Sequence, residues 1–254
     1  MAPSLLKNNH KNIGIVGVPP LAVIRELNDR RVKIHDLDTP LVKAAIETTT
    51  PFIPEVYCAI LRTVVLNALH LALDAIYIDI GPGKCDCAMH VATILADTLD
   101  VPIIPTRNED RHRFGNPLCE SGLPLLEKFL QITKGVQSAR PPANPPVPAT
   151  PTAGFWGVPP RDFSILELFP DTTHIYGWTR CMENKTPAAV ELEAYCNPAV
   201  PTIFYAQSFC AKTALAKHLA RQHPHGLYLD CDLQAGSSAK AKIQAFLELA
   251  GVFA

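Results

Sequence analysis

The sequence predicts an α/β protein of two tandem-duplicated Rossmann-like halves, each a doubly wound, mainly parallel sheet, related by a pseudo-twofold axis. Three observations predict it. Short β-branched runs alternate with amphipathic helical stretches. Gly14-Ile-Val-Gly-Val-Pro-Pro20 returns as Gly154-Phe-Trp-Gly-Val-Pro-Pro160, and a run of prolines separates the two copies.

In the first copy, a strand from Ile13 runs into the Gly-Val-Pro-Pro turn, and Leu21–Leu27 has apolar residues at helical spacing. Val32–Leu37 reads as a second strand ending at Asp36 and Asp38. Thr39 and Pro40 have the chemistry of an N-cap and first helical residue, so a helix is expected over Leu41–Glu47. An amphipathic helix from Ala59 to Leu73 precedes a buried strand, Ala75–Ile80. The loop Gly81-Pro-Gly-Lys-Cys-Asp-Cys87 then feeds a helix reaching Leu99, followed by a strand at Val101–Ile104.

The second copy repeats these landmarks in order. Ile165-Leu-Glu-Leu168 answers Ile24-Arg-Glu-Leu27, Thr186-Pro187 answers Thr39-Pro40, and Cys210 answers Cys58. Asp230 answers Asp79, following its cysteine by 20 residues where Asp79 follows by 21. The domains are therefore expected at 1–134, with a charged extension at 106–133 that the second copy lacks, and at 154–254. The linker 135–153 carries Pro141, Pro142, Pro145, Pro146, Pro148 and Pro151, which favour an extended, semi-rigid spacer.

Composition narrows the partners. Hydrophobic residues make up 48% and charged residues 19% of the 254, and the net charge is −1, a globular balance. Basic residues are scattered without a stripe, which argues against nucleic acid. Asn67, His70 and Asp74 interrupt the longest apolar stretch, so no membrane span is expected. The N-terminal residues lack the apolar core of a secretory signal, so a cytoplasmic location is expected. The expected partners are a small anionic molecule and a second copy of the chain in a homodimer. Eight cysteines in such a chain suggest reduced thiols, metal ligands or catalytic groups.

In open parallel sheets, ligands bind beyond the carboxyl ends of the strands. That rule selects Gly17, Pro19, Gly157 and Pro159 in the repeated turns as substrate-binding candidates. Arg107 and Arg111 join them as carboxylate or phosphate clamps, and Ser237 as part of an anion-binding loop at 234–238. Cys85, Cys87, Cys58 and Cys210 stand where helices begin, which favours thiolate. With Asp79 and Asp230 at strand ends, they are the catalytic candidates. Gly14-x-x-Gly17 followed by Asp36 lacks the spacing of a dinucleotide fingerprint.

Two functions compete. The first is an enzyme whose thiols act as acid–base or nucleophilic groups on a small anion between the halves, as racemisation or isomerisation requires. It needs no cofactor. Asp74–Asp79 through Asp100–Ile104 resembles the strand–cysteine–helix–strand unit of the aspartate/glutamate racemase superfamily. The Cys-Asn-Thr and Gly-Cys-Thr signatures of that family are absent, so no family residue is carried over. The second is a metal protein in redox chemistry or cofactor assembly. In that reading Cys85 and Cys87, with others among Cys58, Cys119, Cys210 and Cys231, hold zinc or an iron–sulfur cluster.

Overall fold

A computed structural model describes residues 10–111 and 113–253. It contains two four-stranded sheets, all parallel, each with helices. The first sheet is formed by β1 (Asn12–Val16), β2 (Lys33–Asp36), β3 (Ala75–Asp79) and β4 (Ile103–Thr106), in the order β2-β1-β3-β4. The second repeats that order as β6-β5-β7-β8, from β5 (Gly154–Trp156), β6 (His174–Tyr176), β7 (Thr202–Gln207) and β8 (Gly226–Cys231). Strand order reverses beside β1 and β5, so a crevice opens where the two Gly-Val-Pro-Pro turns leave their strands.

Helices α1 (Leu21–Asp29), α2 (Ala59–His70), α3 (Asp86–Thr98) and α4 (Leu125–Gly135) belong to the first part of the chain. Helices α5 (Trp178–Asn184), α6 (Val190–Glu193), α7 (Thr213–Gln222) and α8 (Ser237–Leu249) belong to the second. One face of the first sheet packs on α2 and α3 through Val16, Ile76 and Ile78. One face of the second packs on α7 through Trp156, Tyr176 and Phe204. The other two faces share one continuous core, in which Ile13, Ile15 and Tyr77 join the same cluster as Phe155, Ile203 and Tyr205.

Helix α4 ties this core together. Leu125, Lys128, Phe129, Ile132 and Thr133 form its buried stripe at helical spacing. Phe129 meets Phe155 edge to face at 5.2 Å, and Phe155 stacks on Tyr205 at 5.5 Å. The Lys128 side chain, fully buried, donates to the carbonyls of Asp171 and Thr173 at 2.8 and 2.6 Å.

Several expectations are corrected. Residues 41–45 are not helical, and only a 3₁₀ turn, Ile46–Thr49, follows. The competitor is Asn67 on α2. Its amide donates to the carbonyls of Leu37 and Thr39 and its oxygen accepts from the Leu41 amide, so side-chain bonds replace the helical ladder. Thr186 and Pro187 do not open a helix but close α5. Lys185 takes the left-handed conformation at φ 59°, and the Thr186 amide returns to the Cys181 carbonyl.

The cysteine and aspartate pairings also fail. Sheet register places Gly14 beside Ile76, and the repeated Gly154 beside Thr202, which sets Asp79 opposite Tyr205 in the repeat. Asp230 lies on β8, the fourth strand. Cys58 precedes α2, ahead of the third strand, whereas Cys210 follows the third strand of its own sheet, as Cys85 does. An amphipathic helix looks the same to periodicity on either side of a strand, which is why the landmarks seemed to match. The extension at 106–133 is only in part unique to the first copy, because α4 follows β4 as α8 follows β8.

Candidate functional site

A cavity of about 340 Å³ lies at the carboxyl ends of β1, β2 and β3, walled on its far side by residues of the second half. Val158 and Pro159 of the second turn line it; from the first strand and turn only Val16 does so. Gly17 lies just behind the wall, with φ at 75° and its amide donating to Asp38 Oδ2 at 2.6 Å. A larger depression of about 750 Å³ beside Glu47, Arg161 and Asp232 is more open and meets neither repeated turn.

One end of the cavity is acidic. Asp36, the last residue of β2, is 2% exposed, and its Oδ1 accepts from the Asp38 amide at 3.2 Å. Asp79, the last residue of β3, is 1% exposed, and its Oδ1 accepts from the amides of Gly81 and Asn108 at 3.1 and 2.9 Å. The Oδ2 atoms of Asp36 and Asp79 are buried without a hydrogen-bond partner. Burial pushes all three carboxyls above the usual range, with repulsion from Asp38 adding to it at Asp36 and from Asp79 at Asp38. The Lys84 ammonium opposes that rise at each of them.

The other end is built around thiols. Cys58 caps α2, Cys85 caps α3, and Cys210 and Ala211 lead into α7, so three helix N-termini converge there. The Cys58 and Cys210 thiols lie against each other. That contact is the main cause of a Cys210 pKa lowered to about 7, with the Lys212 amide and ammonium adding to it against burial. Burial instead pushes the Cys85 thiol up, overriding the helix-start effect expected for it.

Trp178, the first residue of α5, lies between the two ends. Lys84 Nζ sits 4.3 Å from its ring centroid and Lys212 Nζ 5.1 Å. Lys212 also pairs with Glu193 on α6.

Of the sequence candidates, Cys58, Cys85, Cys210, Asp79 and Pro159 come together at this cavity. The others lie elsewhere. Cys87 is one residue into α3 and accepts a hydrogen bond from the Tyr57 hydroxyl. Asp230 is exposed and accepts from Ser208. Pro19 and Gly157 are buried but are not among the lining residues, and Ser237 is an exposed first residue of α8. Arg107 and Arg111 are exposed, and Arg107 pairs with Glu109. Among the described residues no group of three or more cysteine, histidine or acidic side chains is arranged to hold a metal. Cys119 lies instead against Glu183, and Cys231 at the end of β8.

Sequence reasoning missed Trp178, Lys212 and Asn108. Asn108 is fully buried, and its amide donates to the carbonyls of Val18 and Lys185, so it joins three loops from both halves. No local pattern marks it. The chain matches no protein-family model and no curated protein. No helix among the described residues is long and apolar enough to cross a membrane.

Proposed function

We propose that the protein is a cysteine-dependent enzyme that moves a proton at a carbon centre of a small carboxylate held between the two halves, an isomerase or racemase type of reaction. The observation that carries this reading is the meeting of Cys58, Cys85 and Cys210 in one cavity, at the convergence of three helix N-termini. The environment drives the thiols apart in acidity, and such a separation assigns acid and base. Cys210, as thiolate, takes the proton from carbon. Cys85, kept protonated by burial, returns one to the carbanion. Lys212 and the helix starts favour the substrate's anionic group. Cys58 touches Cys210 and leaves no room for a carbon between them, so it stabilises the thiolate rather than acting as the second base.

The test is solvent deuterium exchange. Single enantiomers of small α-substituted carboxylates, incubated with the protein in deuterium oxide, should gain deuterium at the α-carbon by NMR. Cys210→Ala and Cys85→Ala should each abolish that gain. Exchange that persists in Cys210→Ala overturns the proposal. The metal reading has the weaker support: Cys58, Cys85, Cys87 and Cys210 lie in one cluster, but among the described residues no three cysteine, histidine or acidic side chains are arranged to hold a metal.

A further inference from the structure

We infer that the acid end of this cavity is a primary-ammonium site formed by Asp36 and Asp79, so that the substrate carries an amine as well as its anionic group. The inference rests on the thiol reading for the word substrate, but the site itself stands on separate residues.

The argument begins with unmet acceptors. A buried carboxylate oxygen without a partner costs on the order of 1–3 kcal/mol, and more when charged. Two such atoms, Asp36 Oδ2 and Asp79 Oδ2, belong to residues that line one cavity. Their other oxygens are already oriented by backbone amides, which holds each carboxyl in place. A third carboxyl, Asp38, is tied to the Gly17 amide.

Charge points the same way. Three carboxyls face a single lining lysine at this end, Lys84, whose ammonium also lies against the Trp178 ring. Lys185 acts on Asp36 and Arg107 on Asp79 from a greater remove, since neither lines the cavity. Among the lining groups acceptors outnumber donors at this end, and two buried carboxyl oxygens have no partner, so the group that belongs here is a cation with hydrogens to donate. A metal ion fits less well, because the three carboxyls are not arranged as a ligand set. A primary ammonium has three donors on one compact charge and matches two separate acceptor oxygens. Val16, Ile60, Leu61 and Met182 supply apolar walls for a short carbon chain behind it.

The site also predicts a proton signature. With the carboxyls shifted upward by burial and mutual repulsion, a cation that binds them displaces protons. Lys84, Lys185 and Arg107 oppose that upward shift, so proton release is partial.

Titration calorimetry on the full chain tests this with n-butylammonium chloride and its neutral isostere butan-1-ol, in two buffers of different ionisation enthalpy. The amine should bind selectively, release protons where the carboxyls are partly protonated, and bind more weakly as pH falls. Asp79→Asn and Asp36→Asn, checked for folding by circular dichroism, should each weaken it about tenfold or more, the loss of one charge-assisted bond. Equal binding of the alcohol, no proton release by the wild type, or displacement of the amine by magnesium chloride overturns the inference. Deuterium exchange without amine selectivity removes this inference alone. Amine selectivity without exchange removes only the thiol mechanism.

Discussion

Cys58 at the start of α2 lies against Cys210, which leads into α7 of the other half, so the thiol end of the cavity is completed by a contact between the two halves. Neither copy of the repeat could make it alone. The Cys210 thiol, lowered to about 7 by its neighbour and by Lys212, is favoured toward thiolate without a histidine partner.

The first prediction concerns that contact. Alkylation of Cys210 by iodoacetamide, followed by mass spectrometry, should rise with pH through a midpoint near 7. In Cys58→Ala the neighbouring thiol is gone while burial remains, so the midpoint should move upward. An unchanged midpoint would show that Lys212 and the helix start suffice.

Gly17→Ala tests the turn. A side chain at φ 75° costs on the order of 1–2 kcal/mol. Its Cβ would come within 2.2 Å of Lys84 Nζ, a flexible group that can move away. The steric cost is therefore small, but the ammonium leaves the three carboxyls it serves. Urea denaturation should show the backbone cost. A lower deuterium-exchange rate than a folded control should show the electrostatic one.

Asp36→Asn should raise stability at pH 7. The Asp36 carboxyl is raised well above its unfolded value, so its contribution is fully present below the unfolded pKa and is lost as pH rises through the folded one. At neutral pH the wild type therefore carries a penalty that the amide removes. The gain in melting temperature should shrink toward zero as pH falls to about 4, where the unfolded-state carboxyl also protonates.

Lys128→Met should destabilise by about 1–3 kcal/mol, because the carbonyls of Asp171 and Thr173 lose their shared donor in the core. Burial lowers the Lys128 pKa to about 8. The folded state thus favours the neutral amine, and the wild type gains stability as pH rises from 8 toward the unfolded value. The gap between wild type and variant in chemical denaturation should widen over that range.

Much of the fold was legible because it is written locally. β-Branched runs, the repeated Gly-Val-Pro-Pro turn and the loop before Cys85 specify strands, turns and helix starts from a few adjacent residues. The carboxyl-end rule also brought Asp36 and Asp38 to the correct edge of the sheet. What stayed hidden depends on distant partners. Asn67 unmakes the helix at Leu41 from 26 residues away. Asn108 reaches Lys185, and α4 finds its aromatic partners on the second sheet. The meeting of Cys58 and Cys210 could be suspected from the repeat, but as equivalents rather than as neighbours. Cys87 joins the thiol cluster without lining the cavity, and Arg107 and Arg111 sit in a suggestive run whose side chains are exposed.

The register of the sheets has a consequence for handedness. Opposite Asp36 and Asp79 the repeat places Ile175 and Tyr205, residues that cannot serve as carboxylates. Two identical subunits about an axis would present every group twice, and a ligand could enter either way round. Joining the copies in one chain lifts that constraint, because each copy can diverge alone. The pocket then has a head and a tail, and a molecule seated in it cannot be turned end for end. On the proposed reading, one face of the substrate's reacting carbon is then turned toward Cys210.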